Sequence, residues 1–246
     1  MTNNLIVHIS DLKKAFSGSV VLDGITMELH EGENLVILGQ SGTGKSVIMK
    51  CIVKLMEADE GQINVFGTEM TNCSAKELSS VRSRIGYLFQ EGALYDSMNV
   101  RENLLFPVLR NKESRKKSIK ELTELAEFHL ENVGLIEAID MMPAELSGGM
   151  KKRAGLARTL MLSPELIIYD EPTTGLDPYR TEAISDLIVQ IQEKYNTSSL
   201  IITHDIKCAK ITGNRLTVLH DGKLIANGSF ESLSGDKQPE VQLFFK

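Results

Sequence analysis

No run of apolar residues in this sequence approaches the ~20 needed to cross a bilayer as a helix. Any work at a membrane is therefore expected to depend on another chain for the span. Cysteine is scarce too, with three among 246 residues. Cys51, Cys73 and Cys208 have neither CxxC nor Cys/His ligand spacing, which excludes a disulfide framework or a thiolate metal site and leaves free thiols in a reducing compartment. The N-terminus lacks a charged start, a long apolar core and a small-residue cleavage site, so no secretory signal is expected. Positive charge is not in excess either. Twenty-seven Lys and Arg against 33 Asp and Glu give −6, which argues against a general nucleic-acid binder. Internal repeats, low-complexity tracts and long linkers are missing as well.

With 42% hydrophobic and 24% charged residues, the composition is that of an ordinary globular protein, and the length suits one α/β domain with a small insertion. Short strands are expected at Leu5 to Ile9, Val20 to Ile25 and Leu35 to Leu38, punctuated by Gly18, Gly24 and Gly32. Helical spacing follows from Ser46 to Leu55. From about Glu102 to Leu162 the pattern is helical, with a cationic run from Lys112 to Lys120 expected on a solvated loop or helix face. Strand character returns at Leu166–Tyr169 and Leu200–Ile202 around a helix from about Thr181 to Tyr195. That alternation implies parallel strands joined by crossover helices.

Residues 39–46, GQSGTGKS, satisfy G-x-x-x-x-G-K-[ST] between an apolar strand and a helix. Gly39, Gln40, Ser41, Gly42, Thr43 and Gly44 form a loop whose N–H groups can face phosphates. Lys45 supplies charge to the β/γ-phosphates, Ser46 an oxygen to Mg²⁺, and the helix its positive end. Leu166–Glu171 reads LIIYDE, a strand ending in two carboxylates. In a parallel sheet, ligands collect beyond the carboxyl ends of strands, so these acids should face the loop. Asp170 is placed to hold Mg²⁺ and Glu171 to polarise an attacking water.

Leu146–Met150 reads LSGGM and continues KKRAGLAR to Arg158. With Gln90 in YLFQ, Gly175-Leu-Asp177 and His204 in IITH, the order of motifs resembles the ATPases of ABC transporters over nearly the whole chain. The resemblance implies an α/β P-loop (RecA-like) core with an N-terminal antiparallel β subdomain, in one domain spanning 1–246, and a helical insertion over about 91–163 carrying the signature. It implies a homodimer sandwiching two ATP molecules with Mg²⁺, in which Ser147, Gly148, Gly149 and Asp177 reach the partner's nucleotide. Gln90 would sense metal and water, His204 the γ-phosphate, and Phe16 would stack on adenine. Met150 stands where the signature commonly ends in Gln; contacts through Ser147 and backbone should survive this. Lys151, Lys152 and Arg153 are expected on a solvated helical face. His8, His30, His129 and His220 are expected to serve packing or solvation only.

The LSGGM segment, Phe89–Tyr95, Met98–Pro107 and the apolar tail Glu240–Phe245 are similar to the ATPases of Mla/MCE-type phospholipid transporters. That implies an integral-membrane permease, an MCE-domain partner and a place on the cytoplasmic face of the inner membrane. An importer ATPase for amino acids or another small solute is the nearest alternative. A non-transport ABC ATPase would need a long coiled-coil insertion or a second ATPase unit, and a small-molecule kinase has no use for the signature.

Overall fold

The computed structural model describes residues 4–111 and 117–245. Part of the cationic run, residues 112–116, lies outside them. Two sheets organise the chain. β1 (Leu5–Phe16) and β2 (Ser19–His30) form a long antiparallel hairpin, which β4 (Glu60–Val65) and β5 (Thr68–Glu69) extend in the order β2-β1-β4-β5. Ser17 and Gly18 turn the hairpin at φ +48° and +84°, the left-handed pair a tight hairpin needs. Both strands run well beyond the stretches expected from sequence. Pairing shifts between Ile9 and Leu12 and again around Lys14, and such bulges break the alternation by which a strand is recognised.

The second sheet has six strands in the order β10-β9-β3-β8-β7-β6. β3 (Asn34–Leu38), β6 (Ile85–Leu88), β7 (Leu166–Asp170), β8 (Ser198–Thr203) and β9 (Arg215–His220) run parallel, and β10 (Lys223–Gly228) turns back along β9. Every residue of β3 is buried. Leu35 and Ile37 enter one core with the N-terminal sheet and α1 (Lys45–Ile52), together with Ile25, Ile48, Ile168 and Ile202. Val36 and Leu38 enter a second core with Ile167, Tyr169, Ile201 and the helices of the opposite face. Burial on both faces is why the stretches 35–38, 166–169 and 200–202 within β3, β7 and β8 read as unbroken apolar runs.

The region between β6 and β7 is helical. α3 (Val100–Arg110), α4 (Ile119–Asn132) and α5 (Gly148–Leu160) follow one another, with 3₁₀ turns at Ile136–Ala138 and Pro143–Glu145. Capping boxes fix two starts. Asn99 with Glu102 opens α3 and Ser118 with Glu121 opens α4, each satisfying backbone donors that the first turn leaves free. The same device at Ser74 and Glu77 opens α2 (Ala75–Ser83). The remaining helices are α6 (Pro178–Tyr195), α7 (Ile206–Thr212), α8 (Phe230–Ser234) and α9 (Pro239–Gln242). The C-terminal end of α4 meets α6 through a partly buried polar knot. Tyr195 Oη lies 3.4 Å from His129 Nδ1 and accepts from Asn132 at 2.7 Å, while Lys194 donates to Asn132 at 2.6 Å. Burial, reinforced by the charges of Lys194 and Lys117, lowers the His129 pKa to about 4. No helix of the described residues is long and apolar enough to cross a membrane.

Candidate functional site

β3 ends at Leu38, and the glycine loop carries the chain straight into α1. Gly42 and Gly44 have φ +82° and +102°. A Cβ on Gly44 would come 2.8 Å from Leu22 Cδ2, so both the backbone angle and the space demand glycine. The loop curls around the Lys45 ammonium, which donates to the carbonyls of Gly39 at 2.6 Å and Gln40 at 2.9 Å. Lys45 is 5% exposed. Its nitrogen also lies 3.3 Å from Glu171 Oε1.

β7 is two strands from β3 across β8, and its carboxyl end delivers both acids to the loop. Asp170 Oδ1 accepts from Ser46 Oγ at 3.4 Å and Oδ2 from Tyr87 Oη at 3.3 Å. Burial, with the neighbouring Glu171 charge adding to it, raises the Asp170 pKa above the ordinary carboxylate value. Glu171 has φ +49°, an uncommon angle for a side-chain-bearing residue. Its N–H donates to the Ile202 carbonyl at 2.9 Å. Its Oε2 lies 2.8 Å from His204 Nδ1 and accepts from Thr174 Oγ1 at 3.3 Å. Asp170, Ser46 and the tyrosine phenol make an oxygen-rich corner that suits a hard divalent cation. Among the described residues no group of three or more His, Cys, Asp and Glu could hold a metal by itself. A cation here would complete its shell from the ligand and water, as Mg²⁺ does on a nucleotide.

Phe16, Ser41, Gly42, Gly44, Lys45, Ser46, Gln90, Asp170, Glu171 and His204 line one cavity of about 380 Å³, with Val21, Val47 and Thr174 completing its wall. Phe16, 41% exposed, stands at the rim, with the Lys14 ammonium 5.5 Å from its ring centre. Ser147, Gly149 and Asp177 line a different hollow, of about 630 Å³, with Arg153, Tyr179 and Arg180. Gly148 and Gln90 share a third with Leu94 and Lys151. Thus the signature residues lie away from the glycine loop of their own chain.

Ser147 caps α5, its side chain accepting from the Met150 N–H at 3.4 Å. The Met150 side chain packs against the helical core. Asp177 caps α6, accepting from the N–H groups of Tyr179 and Arg180 at 3.1 and 2.9 Å. These hydrogen bonds lower its pKa, the one from Arg180 first.

Lys152 departs from its expected place on a solvated face. It is 5% exposed and donates to the Gln90 carbonyl at 2.7 Å. The long stem lets the ammonium reach loop carbonyls that α5 covers, and no pattern along the helix marks this. Tyr87 and Thr174 are the other residues that sequence reasoning missed. The signal for Tyr87 is its place on β6, opposite Ile168 of β7 and one pleat below the acids.

The family model described as "ABC transporter" matches residues 22–174. The chain is 39% identical to the probable ribonucleotide transport ATP-binding protein mkl of Mycobacterium leprae over 99% of its own length and 70% of that protein. It is 33% identical to the intermembrane phospholipid transport system ATP-binding protein MlaF of Haemophilus influenzae, over 99% of this chain and 91% of that one. With the methionine import ATP-binding protein MetN of Rhizobium johnstonii the identity is 36%, over 96% of this chain and 64% of the relative. Among solved structures, cbiO1 of Clostridium perfringens, part of the ABC transporter complex cbiONQ, superposes with TM-score 0.86 at 28% identity, covering 95% of this chain and 92% of that one.

Proposed function

The chain belongs to the ABC transporter family as one of its ATP-hydrolysing subunits, and from that premise we propose that it powers phospholipid transport between inner and outer membranes. The observation that carries this reading is the MlaF match, which spans nearly all of both proteins. The MetN relative, by contrast, continues well past the matched region. The apolar tail, residues 240–245, resembles that of the Mla/MCE-type group, and here Phe245 packs edge-on to Phe230 at 5.4 Å. An integral permease and an MCE-domain protein are the partners. The chain then sits on the cytoplasmic face of the inner membrane, held there by the permease. Residues after Gln90 offer the surface for it: Glu91, Leu94 and Asp96 line a hollow, and Tyr95 is 47% exposed; Phe89, just before Gln90, is 42% exposed.

In this reading the loop N–H groups and Lys45 hold the β- and γ-phosphates, and Phe16 stacks on the adenine. Ser46, Asp170 and Gln90 hold Mg²⁺, which supplies charge neutralisation to the phosphates. Glu171 is the general base for the attacking water, and His204 positions it while sensing the γ-phosphate. Ser147, Gly148, Gly149 and Asp177 meet the nucleotide of a second copy. Residues of about 91–163 form the helical subdomain that carries the signature. Replacing Glu171 with Gln should leave ATP binding intact while lowering hydrolysis by roughly 10²–10⁴-fold and accumulating an ATP-bound dimer. Unchanged turnover would defeat the base assignment.

A small-solute importer ATPase is the second reading, favoured by the higher identity to MetN. Affinity purification from native membranes, with mass spectrometry of proteins and lipids, separates the two. Phospholipid transport expects a permease, an MCE-domain protein and bound phospholipid. Recovery with a solute-binding protein and no enriched lipid would favour the importer.

A further inference from the structure

Outside the nucleotide cavity, the most heavily buried cation of the helical region is Lys152, on the inner face of α5. That face is built to receive a loop. One turn on, a Cβ at Gly155 would come 2.7 Å from the Gly92 carbonyl oxygen, and a Cβ at Gly92, with φ +79°, would come 2.7 Å from the Lys151 carbonyl oxygen. Both positions therefore need glycine. Farther along, the Arg158 guanidinium donates to the Ala93 carbonyl at 2.6 Å. Lys152, Gly155 and Arg158 recur at helical spacing and press the backbone of residues 90–93 onto α5.

Lys152 does one thing more. Its ammonium donates to the Gln90 carbonyl at 2.7 Å and also reaches the Glu171 carbonyl at 3.4 Å. The peptide it meets follows a residue at φ +49°, whose N–H is held by Ile202 on β8. Two backbone anchors thus fix Glu171 in an angle it would not hold alone, one from the sheet and one from the signature helix. Burial lowers the Lys152 pKa, and the Glu171 charge counters that shift.

We propose that Lys152 is a positioning residue for ATP hydrolysis, holding the Gln90 loop and the Glu171 peptide at a fixed separation and tying both to the helix that Ser147 begins. Displacement of α5 by a contact at its N-terminus is then carried to the base of the same chain through one side chain. The proposal rests on the reading of Glu171 as the base and Gln90 as a site residue.

The test compares the full-length protein with Lys152→Met and Lys152→Arg in MgATP hydrolysis under single-turnover and steady-state conditions, alongside equilibrium binding of a fluorescent ATP analogue. Methionine keeps the stem and removes the donors; arginine restores them. The expected result is a kcat lowered roughly 10-fold or more in Lys152→Met, the scale of one charged hydrogen bond. KM and analogue binding should stay within about two-fold, and Lys152→Arg should regain most of the rate. If the Met variant does not fold, Lys152→Gln, able to reach one carbonyl only, is expected to show the same split between kcat and KM. Unchanged kcat overturns the proposal. So does a parallel loss of kcat and binding that Arg does not restore. Glu171→Gln run beside them separates the two readings. If it hydrolyses at the normal rate, the base assignment fails; if it is inactive while Lys152→Met is normal, the Lys152 proposal fails alone.

Discussion

Replacing Asp170 with Asn should make the nucleotide-free protein more stable and the nucleotide-bound protein less so. Asn fills the same volume, so no cavity opens. It can still accept from Ser46 and meet the Tyr87 phenol, contacts of 3.4 and 3.3 Å that are long to begin with. What disappears is a half-buried negative charge beside Glu171, only partly balanced by Lys50. Relief of such site strain is of the order of 0.5–2 kcal/mol. For a chain of this size that corresponds to a rise of about 2–4 °C in Tm per kcal/mol.

With MgATP the order should reverse. The natural protein gains about 2.7 kcal/mol at a ligand concentration 100-fold above Kd, and the variant, without the carboxylate proposed to hold the cation, should gain far less. Acidity provides a further check. The folded Asp170 pKa is raised, so as pH climbs the unfolded carboxyl ionises first, from the ordinary value of 3.8. The penalty on the native protein therefore grows from there up to the raised folded value and is full above it. The advantage of Asn should shrink to nothing in acid below that window. Thermal denaturation followed by circular dichroism, with and without MgATP and across pH, measures all three. A variant whose nucleotide-free Tm drops by several degrees would refute the reasoning.

Two further outcomes follow from the geometry. Ser147→Arg should block ATP-dependent dimerisation in size-exclusion chromatography, whereas Ser147→Ala should lose the α5 cap, about 1 kcal/mol of stability, and weaken dimerisation without abolishing it; normal dimerisation of the Arg variant would count against the sandwich. His129 is held neutral by burial at a pKa of about 4 against the usual 6.5. On acidification the unfolded chain takes up that proton first, so stability should fall between pH 6.5 and 4. Urea midpoints in His129→Gln should show a shallower fall over that range, and an unchanged slope would rule the histidine out as its source.

The parts legible in the sequence are those where one local rule governs. The glycine loop is legible because the angles at Gly42 and Gly44 and the close approach of Leu22 demand a particular residue type. β3, β7 and β8 are legible because double-sided burial favours apolar side chains over residues 35–38, 166–169 and 200–202. β10, reading KLIANG with none of its residues fully buried, carries no such pattern; β4 has only two buried residues, and β5 and β6 are short. Lys152 and Tyr87 escaped because their partners lie far away along the chain, brought close only by the sheet order and the path of α5; Thr174 reaches Glu171 three residues back, but a lone threonine in a turn carries no motif. A lysine read by type belongs in water; three-dimensional proximity to bare carbonyls is what overrules this.

The contact between Lys45 and Glu171 has a consequence for the order of events. At rest the ammonium serves as the counter-ion of the carboxylate and of two loop carbonyls at once. An arriving γ-phosphate would compete for that same cation, so Lys45 would exchange the Glu171 carboxylate for phosphate oxygens. In the proposed reading the substrate thus frees the carboxylate that faces the attacking water. Until then the carboxylate is paired with Lys45, and part of the intrinsic affinity for ATP would go into the exchange of one anion for another.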